Sequence, residues 1–333
     1  MITGRPIYHR KDSNELLFRF APYIIGFLLL AIVPIFLPAY VQNLMTKILI
    51  FSIFAMSLDI ILGYTGLPSL GHAAFLGVAG YTVTILLVIH GIDNFYLIAA
   101  LGIFLAVLTA AILGVLALRA SGIFFLLVTF ALGMLIYSIA LKFNWLTRGQ
   151  QGLPLGAYPN LGLPGIELNS FTFYFFVFLV FIVCFFLMYR ITKSPFGLTL
   201  QGIRENESRM RMLGYNTWRY KYIAFIISGL FAGIAGVLFP FYSGGMVPQN
   251  LDINTSAYAL LICIIGGVGT LWGSIFGAVV LIFLEFFIGN FAPYRWPLIL
   301  GIIFVLAVIF LRGGIAAHIS RLWRRLFIGS VKS

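Results

Sequence analysis

The stretch FTFYFFVFLVFIVCFFLMY, residues 171–189, carries no charged side chain and stops against Arg190. As a helix rising 1.5 Å per residue it would reach about 28 Å, close to the depth of a bilayer's hydrocarbon core. It lacks the polar stripe of period 3.6 that turns a soluble helix toward water, so lipid or other apolar helices must surround it. The same pattern recurs, and spans are expected near 20–38, 43–62, 70–90, 97–118, 122–141, 171–189, 222–241, 257–272, 273–290 and 296–311. With 62% hydrophobic and 9% charged residues, a soluble core of 333 residues could not hide so many such segments. The expected fold class is all-α: a polytopic membrane helical bundle of about 8–10 transmembrane helices.

Charge orients the bundle. The net charge of +12 suggests nucleic acid at first sight, but its distribution does not. The basic residues gather in an N-terminal tail, 1–19 (Arg5, Arg10, Lys11, Arg19), in the loop 190–221, and in a C-terminal tail, 312–333 (Arg312, Arg321, Arg324, Arg325, Lys332). Seven of the 21 Lys and Arg lie in that loop, an excess that marks the cytoplasmic side and attracts anionic membrane lipid. Ten crossings from a cytoplasmic tail send 142–170 outside, bring 190–221 back inside, and leave both termini cytoplasmic around one transmembrane domain, 20–311. The first apolar stretch reads as an uncleaved span, since it lacks a small-residue cleavage pattern. Between 257 and 290, Gly266, Gly267, Gly269 and Gly273 fit either a tight helical hairpin or a re-entrant pair, so eight crossings with re-entrant pieces stays open.

Two segments interrupt the apolar helices, one in each half: Gly63-Tyr64-Thr65-Gly66-Leu67-Pro68-Ser69-Leu70-Gly71-His72 and Ile265-Gly266-Gly267-Val268-Gly269-Thr270-Leu271-Trp272-Gly273. Non-helical backbone at membrane depth must be buried in protein or face water, and transporters use such breaks to bind polar solutes. Glycines also permit close helix packing. In the first segment Pro68, Ser69 and His72 favour a pathway; in the second, packing and pathway weigh equally. The candidate pathway residues are Gly63, Tyr64, Gly66, Ser69, Gly71, His72, Gly266, Gly267 and Gly269.

Other chemistry finds little support. His9, His72, His90 and His318 show no metal-ligand spacing, Ser69 is not in a G-x-S-x-G context, and Cys184 and Cys263 sit in apolar stretches as small buried hydrophobes. No catalytic or metal residue is expected. Asp59 and Glu285 are carboxylates at membrane depth, where a charge needs a partner or water. They keep an ion-coupled secondary transporter as the rival class. No Gly-Lys dipeptide occurs, so the chain has no phosphate-binding P-loop and any ATP must act through another subunit.

Four elements in order carry a resemblance. Gly63-Tyr64-Thr65-Gly66 with Ser69-Leu70-Gly71-His72-Ala73-Ala74-Phe75, then Thr147-Arg148-Gly149-Gln150-Gln151-Gly152-Leu153, then Gly266-Gly267-x-Gly269-Thr270-Leu271-x-Gly273 with Gly277-Ala278, then Arg295-Trp296-Pro297-Leu298-Ile299-Leu300-Gly301 are similar to the motifs of inner-membrane permeases of branched-chain amino acid ABC importers, the LivM type. Arg148 stands where that family has a glycine. The resemblance covers most of the chain and implies a bacterial inner-membrane subunit without a cofactor of its own. It also implies a homologous permease partner (LivH type), two ATPase subunits (LivG and LivF type) that bind ATP and Mg, and a periplasmic substrate-binding protein. Related permeases for urea share these motifs, so urea or a short amide is the alternative cargo.

Under the same resemblance, Arg204, Glu205, Asn206 and Glu207 open a short cytoplasmic coupling helix that Leu213 and Gly214 close, and this helix sits in a cleft of an ATPase. Acidic residues at its start, basic residues later and a terminal glycine suit a helix. An amphipathic helix lying on anionic lipid is the plainer alternative. Arg209, Met210, Arg211 and Met212 replace the alanines and acidic residue usual there, which suggests a more acidic cleft in the partner.

Overall fold

A computed structural model describes residues 26, 30–156, 169–291, 296–310 and 313–315. The bundle is organised around helix α1, Ala39–Thr65, which starts after Pro38 and ends at Gly66 in the left-handed region (φ 76°). Every residue from Ile48 to Ile61 is buried. A helix apolar all round has no face to give to water, and here four others cover it: α5 (Ser170–Lys193), α8 (Thr217–Ser243), α9 (Ile253–Gly266) and α10 (Leu271–Phe291). Helices α2 (Ala73–Val88) and α3 (Phe95–Ala117) pack on α8, while α4 (Ile123–Lys142) lies further out with Ile123, Phe124, Leu127 and Leu135 exposed. Two short helices, α6 (Pro195–Glu205) and α7 (Glu207–Met212), join α5 to α8, and α11 (Trp296–Phe310) packs on α9. Small residues set the closest approach: a Cβ on Gly236 of α8 would lie 2.2 Å from the Leu76 carbonyl of α2.

Among the described residues six helices are long and apolar enough to cross a membrane: α1, α3, α4, α5, α8 and α10. The expected spans 43–62, 97–118, 122–141, 171–189, 222–241 and 273–290 match them, each helix running past the apolar core. Two expected spans are shorter than drawn. The 70–90 span is the 16-residue α2, about 24 Å long, because residues 66–72 run non-helical before it. The 257–272 span is the 14-residue α9, about 21 Å long, stopped at Gly267 with φ 122°. Both apolar half-length helices adjoin a glycine break, one in each half. Of the expected span 20–38, residues 26 and 30–38 are described, and there the helix gives way to a 3-10 turn, Val33–Phe36, and extended backbone at Leu37; the tail 1–19 lies wholly, and the tail 312–333 all but 313–315, outside the described residues.

Contacts sort the loops to two ends. At one, Leu153–Pro154 pairs antiparallel with Gly245–Met246, Leu153 opposite Met246. Lys47, near the start of α1, meets Glu285, late in α10, in the same half of the bundle. At the other end, the breaks after α1 and α9 meet the α6–α7 segment. This is the grouping that the expected order of crossings requires.

Candidate functional site: the glycine breaks and the coupling segment

The polar island folds as two helices rather than one. Ser194 caps α6, its hydroxyl accepting from the Gly197 N–H, with Pro195 at the first helical position. The helix runs through Glu205, and Asn206, with extended backbone (φ −158°), breaks it. The Asn206 side chain then accepts from the Arg209 N–H at 2.9 Å and starts α7. Arg204 and Glu205 therefore end the first helix instead of opening the second, a correction to the sequence reading. Its cause is the asparagine, whose side chain competes for backbone donors and favours a cap over a helix interior. The closing residues behave as expected: beyond Leu213, Gly214 takes φ 86°, its N–H donates to Arg211 O and the Tyr215 N–H to Met210 O. That paired geometry is a Schellman cap.

Glu207 fixes α7 to the bundle. Its Oε1 accepts from Arg211 Nη2 at 2.7 Å and from the Thr217 hydroxyl at 2.9 Å, and its Oε2 pairs with Lys221 Nζ. Thr217 and Lys221 belong to the first turns of α8, so one carboxylate ties the segment to a spanning helix. Burial would raise its pKa, but the hydrogen bonds from Lys221, Arg211 and Thr217 outweigh burial and hold it at about 2. Of the four unusual residues, Arg211 is engaged with Glu207, and Met210 packs where a Cβ on Gly202 would meet its sulfur at 2.9 Å. Arg209 and Met212 face outward, beside exposed Leu213, Tyr215 and Trp218.

Arg204 points the other way. Its Nη1 donates to the Gly63 carbonyl in the last turn of α1, and its Cγ lies 3.1 Å from where a Cβ on Gly66 would stand. The second break arrives at the same place: a Cβ on Gly63 would be 2.4 Å from Gly269 N, so the two backbones touch. Asp59, one turn before Gly63, accepts from the Gly269 N–H through Oδ1 at 2.8 Å. Its Oδ2 is buried with no hydrogen-bond partner. Gly269 (φ 83°) and Gly267 (φ 122°) need glycine for their backbone. Gly266 is packed against Gly273, whose carbonyl would stand 1.9 Å from a Cβ there.

The remaining candidates lie deeper. Gly71 abuts the Thr129 carbonyl of α4, 2.2 Å from the position of a Cβ. His72 is fully buried between Phe54 and Phe75, its Nε2 at 3.2 Å from Ser57 Oγ and 2.9 Å from Ser228 Oγ. Both hydroxyl hydrogens are committed to carbonyls, Ser57 to Phe54 O and Ser228 to Ser57 O, so Nε2 is the donor here. Ser69 Oγ and His72 Nδ1 are buried without hydrogen-bond partners, and Tyr64 is 6% exposed. The α2 N-terminus begins at this depth, where the Ala73 N–H donates to Ser256 at 2.9 Å.

The two carboxylates part company. Glu285 is paired, accepting from Lys47 at 2.7 Å and from the Tyr258 hydroxyl at 2.6 Å. Sequence reasoning named Glu285 but not these partners; a lone lysine in an apolar span was the signal available. Ser57, Ser228, Thr217 and Lys221 gave no such signal, since only folding brings them to His72 and Glu207. No group of three metal-ligating side chains occurs among the described residues, and both cysteines are buried and free.

At the opposite end, Leu141, Asn144, Arg148, Gly149, Gln150 and Gln151 line an open cleft of about 710 Å³. Arg148 adopts φ 58°, the left-handed conformation in which glycine is easiest, which accounts for the family's glycine at that position. The family described as branched-chain amino acid transport system / permease component matches residues 40–311. The chain belongs to that family. Within the permease family it is similar to the high-affinity branched-chain amino acid transport system permease protein LivM of Escherichia coli K12, 27% identical over 312 residues, covering 86% of this chain and 72% of the relative. The LivM of Salmonella typhimurium LT2 is 27% identical over 291 residues, covering 80% and 68%. A shorter likeness, 31% over 94 residues and 26% of this chain, links it to the autoinducer 2 import system permease protein LsrC of Photorhabdus laumondii, 28% of which is covered. No solved structure matches. This permease is thus a multi-pass membrane protein and a transport subunit of an ABC importer.

Proposed function

We propose that this subunit carries branched-chain aliphatic amino acids inward across the bacterial inner membrane, paired with a homologous permease. A periplasmic substrate-binding protein delivers the cargo, and two ATPase subunits, which hold the ATP and Mg, drive it. The excess of Lys and Arg in the loop 190–221 supports a cytoplasmic position for that end, and with it both tails inside and the Leu141–Gln151 cleft outside. The observation that carries the reading is the α6–α7 segment. It is held to α8 through Glu207 and to the first glycine break through Arg204, yet turns Met212 (82% exposed), Leu213 (66%) and Arg209 outward, beside Trp218 (42%) in the first turn of α8. An apolar knob ringed by positive charge fits an apolar, acid-rimmed cleft on a soluble subunit. The sparse charge of the breaks suits a zwitterion with an aliphatic side chain, whose ends would be met by backbone dipoles.

The test is reconstitution of the chain with its partner permease and ATPases in liposomes, with leucine and binding protein outside and ATP within. ATP-dependent leucine uptake is the expected result, and the double variant Met212→Glu, Leu213→Glu should release the ATPases while the permease stays in the membrane. Urea competing as well as isoleucine, or uptake that follows an ion gradient without ATP, would overturn the reading.

A further inference from the structure

The junction at Gly63 and Gly269 lies one side chain away from the coupling segment. Arg204, the penultimate residue of α6, hydrogen-bonds the Gly63 carbonyl, lays its stem over Gly66, and brings Nη1 to 3.1 Å from where a Cβ on Gly269 would stand. Asp59 holds the same contact through the Gly269 N–H at 2.8 Å. A guanidinium from the α6–α7 segment and a carboxyl group from α1 thus meet at one backbone-to-backbone contact between the two halves of the chain. The set of bonds there is incomplete, because Asp59 Oδ2 is buried without a hydrogen-bond partner. An unsatisfied carboxylate oxygen is costly in a single resting state and is explained if a second state uses it.

Resting on the transport reading above, we propose that the Gly63–Gly269 junction is the inner gate of the pathway and that Arg204 is the positioning residue that opens it. When the ATPases displace the coupling segment, Arg204 leaves the Gly63 carbonyl and takes up Asp59 Oδ2. Drawn toward the guanidinium, Asp59 releases the Gly269 N–H, and the two breaks separate. Opening thereby exchanges one set of partners for another of similar strength, which lets a modest displacement shift the balance. The glycines are required because any side chain on Gly63 would wedge the closed contact.

The experiment measures leucine imported per ATP hydrolysed in the reconstituted complex, for wild type, Arg204→Gln, Arg204→Lys and Asp59→Asn, alongside the amount of both ATPases that co-purifies. Arg204→Gln and Asp59→Asn should assemble with the ATPases yet lower the ratio by about tenfold or more, the factor carried by one charge-assisted hydrogen bond. Arg204→Lys, which keeps a charged donor, should recover part of it. If Arg204→Gln does not accumulate, Asp59→Asn and Arg204→Lys decide alone. A ratio within twofold of wild type in Asp59→Asn, or uptake and hydrolysis falling together in every variant with Lys no better than Gln, would overturn the gate. A wild-type complex without ATP-driven uptake would instead remove the transport reading and the gate with it.

Discussion

Replacing Glu207 by alanine should loosen α7 without unfolding the bundle. The carboxylate accepts from Arg211 and Thr217 and pairs with Lys221, and these bonds hold its pKa at about 2 against an ordinary 4.5. At about 1.4 kcal/mol per pH unit, that difference is worth about 3 kcal/mol before screening. The side chain is 29% exposed and Arg211 67% exposed, so water reduces the sum to about 1–2 kcal/mol. Because the folded pKa lies below the unfolded one, this stabilisation is complete above about pH 4.5 and is lost as pH falls from there toward 2. Amide hydrogen exchange followed by mass spectrometry on the detergent-solubilised permease reads the effect. Residues 207–215 of Glu207→Ala should exchange about 5- to 30-fold faster at pH 7, while α1 and α8 keep their protection. In wild type, the protection of this segment, corrected for intrinsic rates, should stay level down to about pH 4.5 and fall below it. Exchange in 207–215 within twofold of wild type would refute the clamp, since no other contact described for α7 carries comparable charge.

Three other outcomes are expected. Gly266→Ala places a methyl 1.9 Å from the Gly273 carbonyl and should cost about 3 kcal/mol or more, seen as loss of protein surviving mild detergent extraction and size exclusion. Glu285→Gln leaves Lys47 without its counter-charge and should lower the melting temperature, whereas the double variant Glu285→Leu, Lys47→Met should be milder than the single and still import leucine; abolished import in the double variant would revive ion coupling. Arg148→Gly relieves a left-handed backbone and should raise thermal stability by up to about 1 kcal/mol, against a loss for Arg148→Val.

Most of the bundle was legible because lipid imposes a simple rule: a segment that crosses must be apolar for about 20 residues and satisfy its own backbone. Phe171–Tyr189 and the spans like it obey that rule residue by residue, so the order of the six long apolar helices follows from sequence. The half-length of α2 and α9 was less legible, since Ala73–Val88 and Ile253–Gly266 are apolar enough to merge with their neighbours in any hydropathy reading. Their ends depend on where the glycine breaks find partners for freed backbone groups: Leu70 at Thr129, Ala73 at Ser256, Gly269 at Asp59.

The coupling segment divides in the same way. Its basic charge and its closing glycine are local properties of residues 190–221, and the sequence by itself determined them. Which charges face outward is not local. Arg204 and Arg209 are indistinguishable as letters, yet one reaches Gly63 across 141 positions of chain and the other faces outward. Composition and hydrophobic period thus determined that this chain is a multi-pass helical bundle in lipid. Only the tertiary structure decided that Arg204 of this segment meets the Gly63 carbonyl where the Gly269 N–H reaches Asp59, because a hydrogen bond depends on distance in space and carries no signature in the intervening sequence.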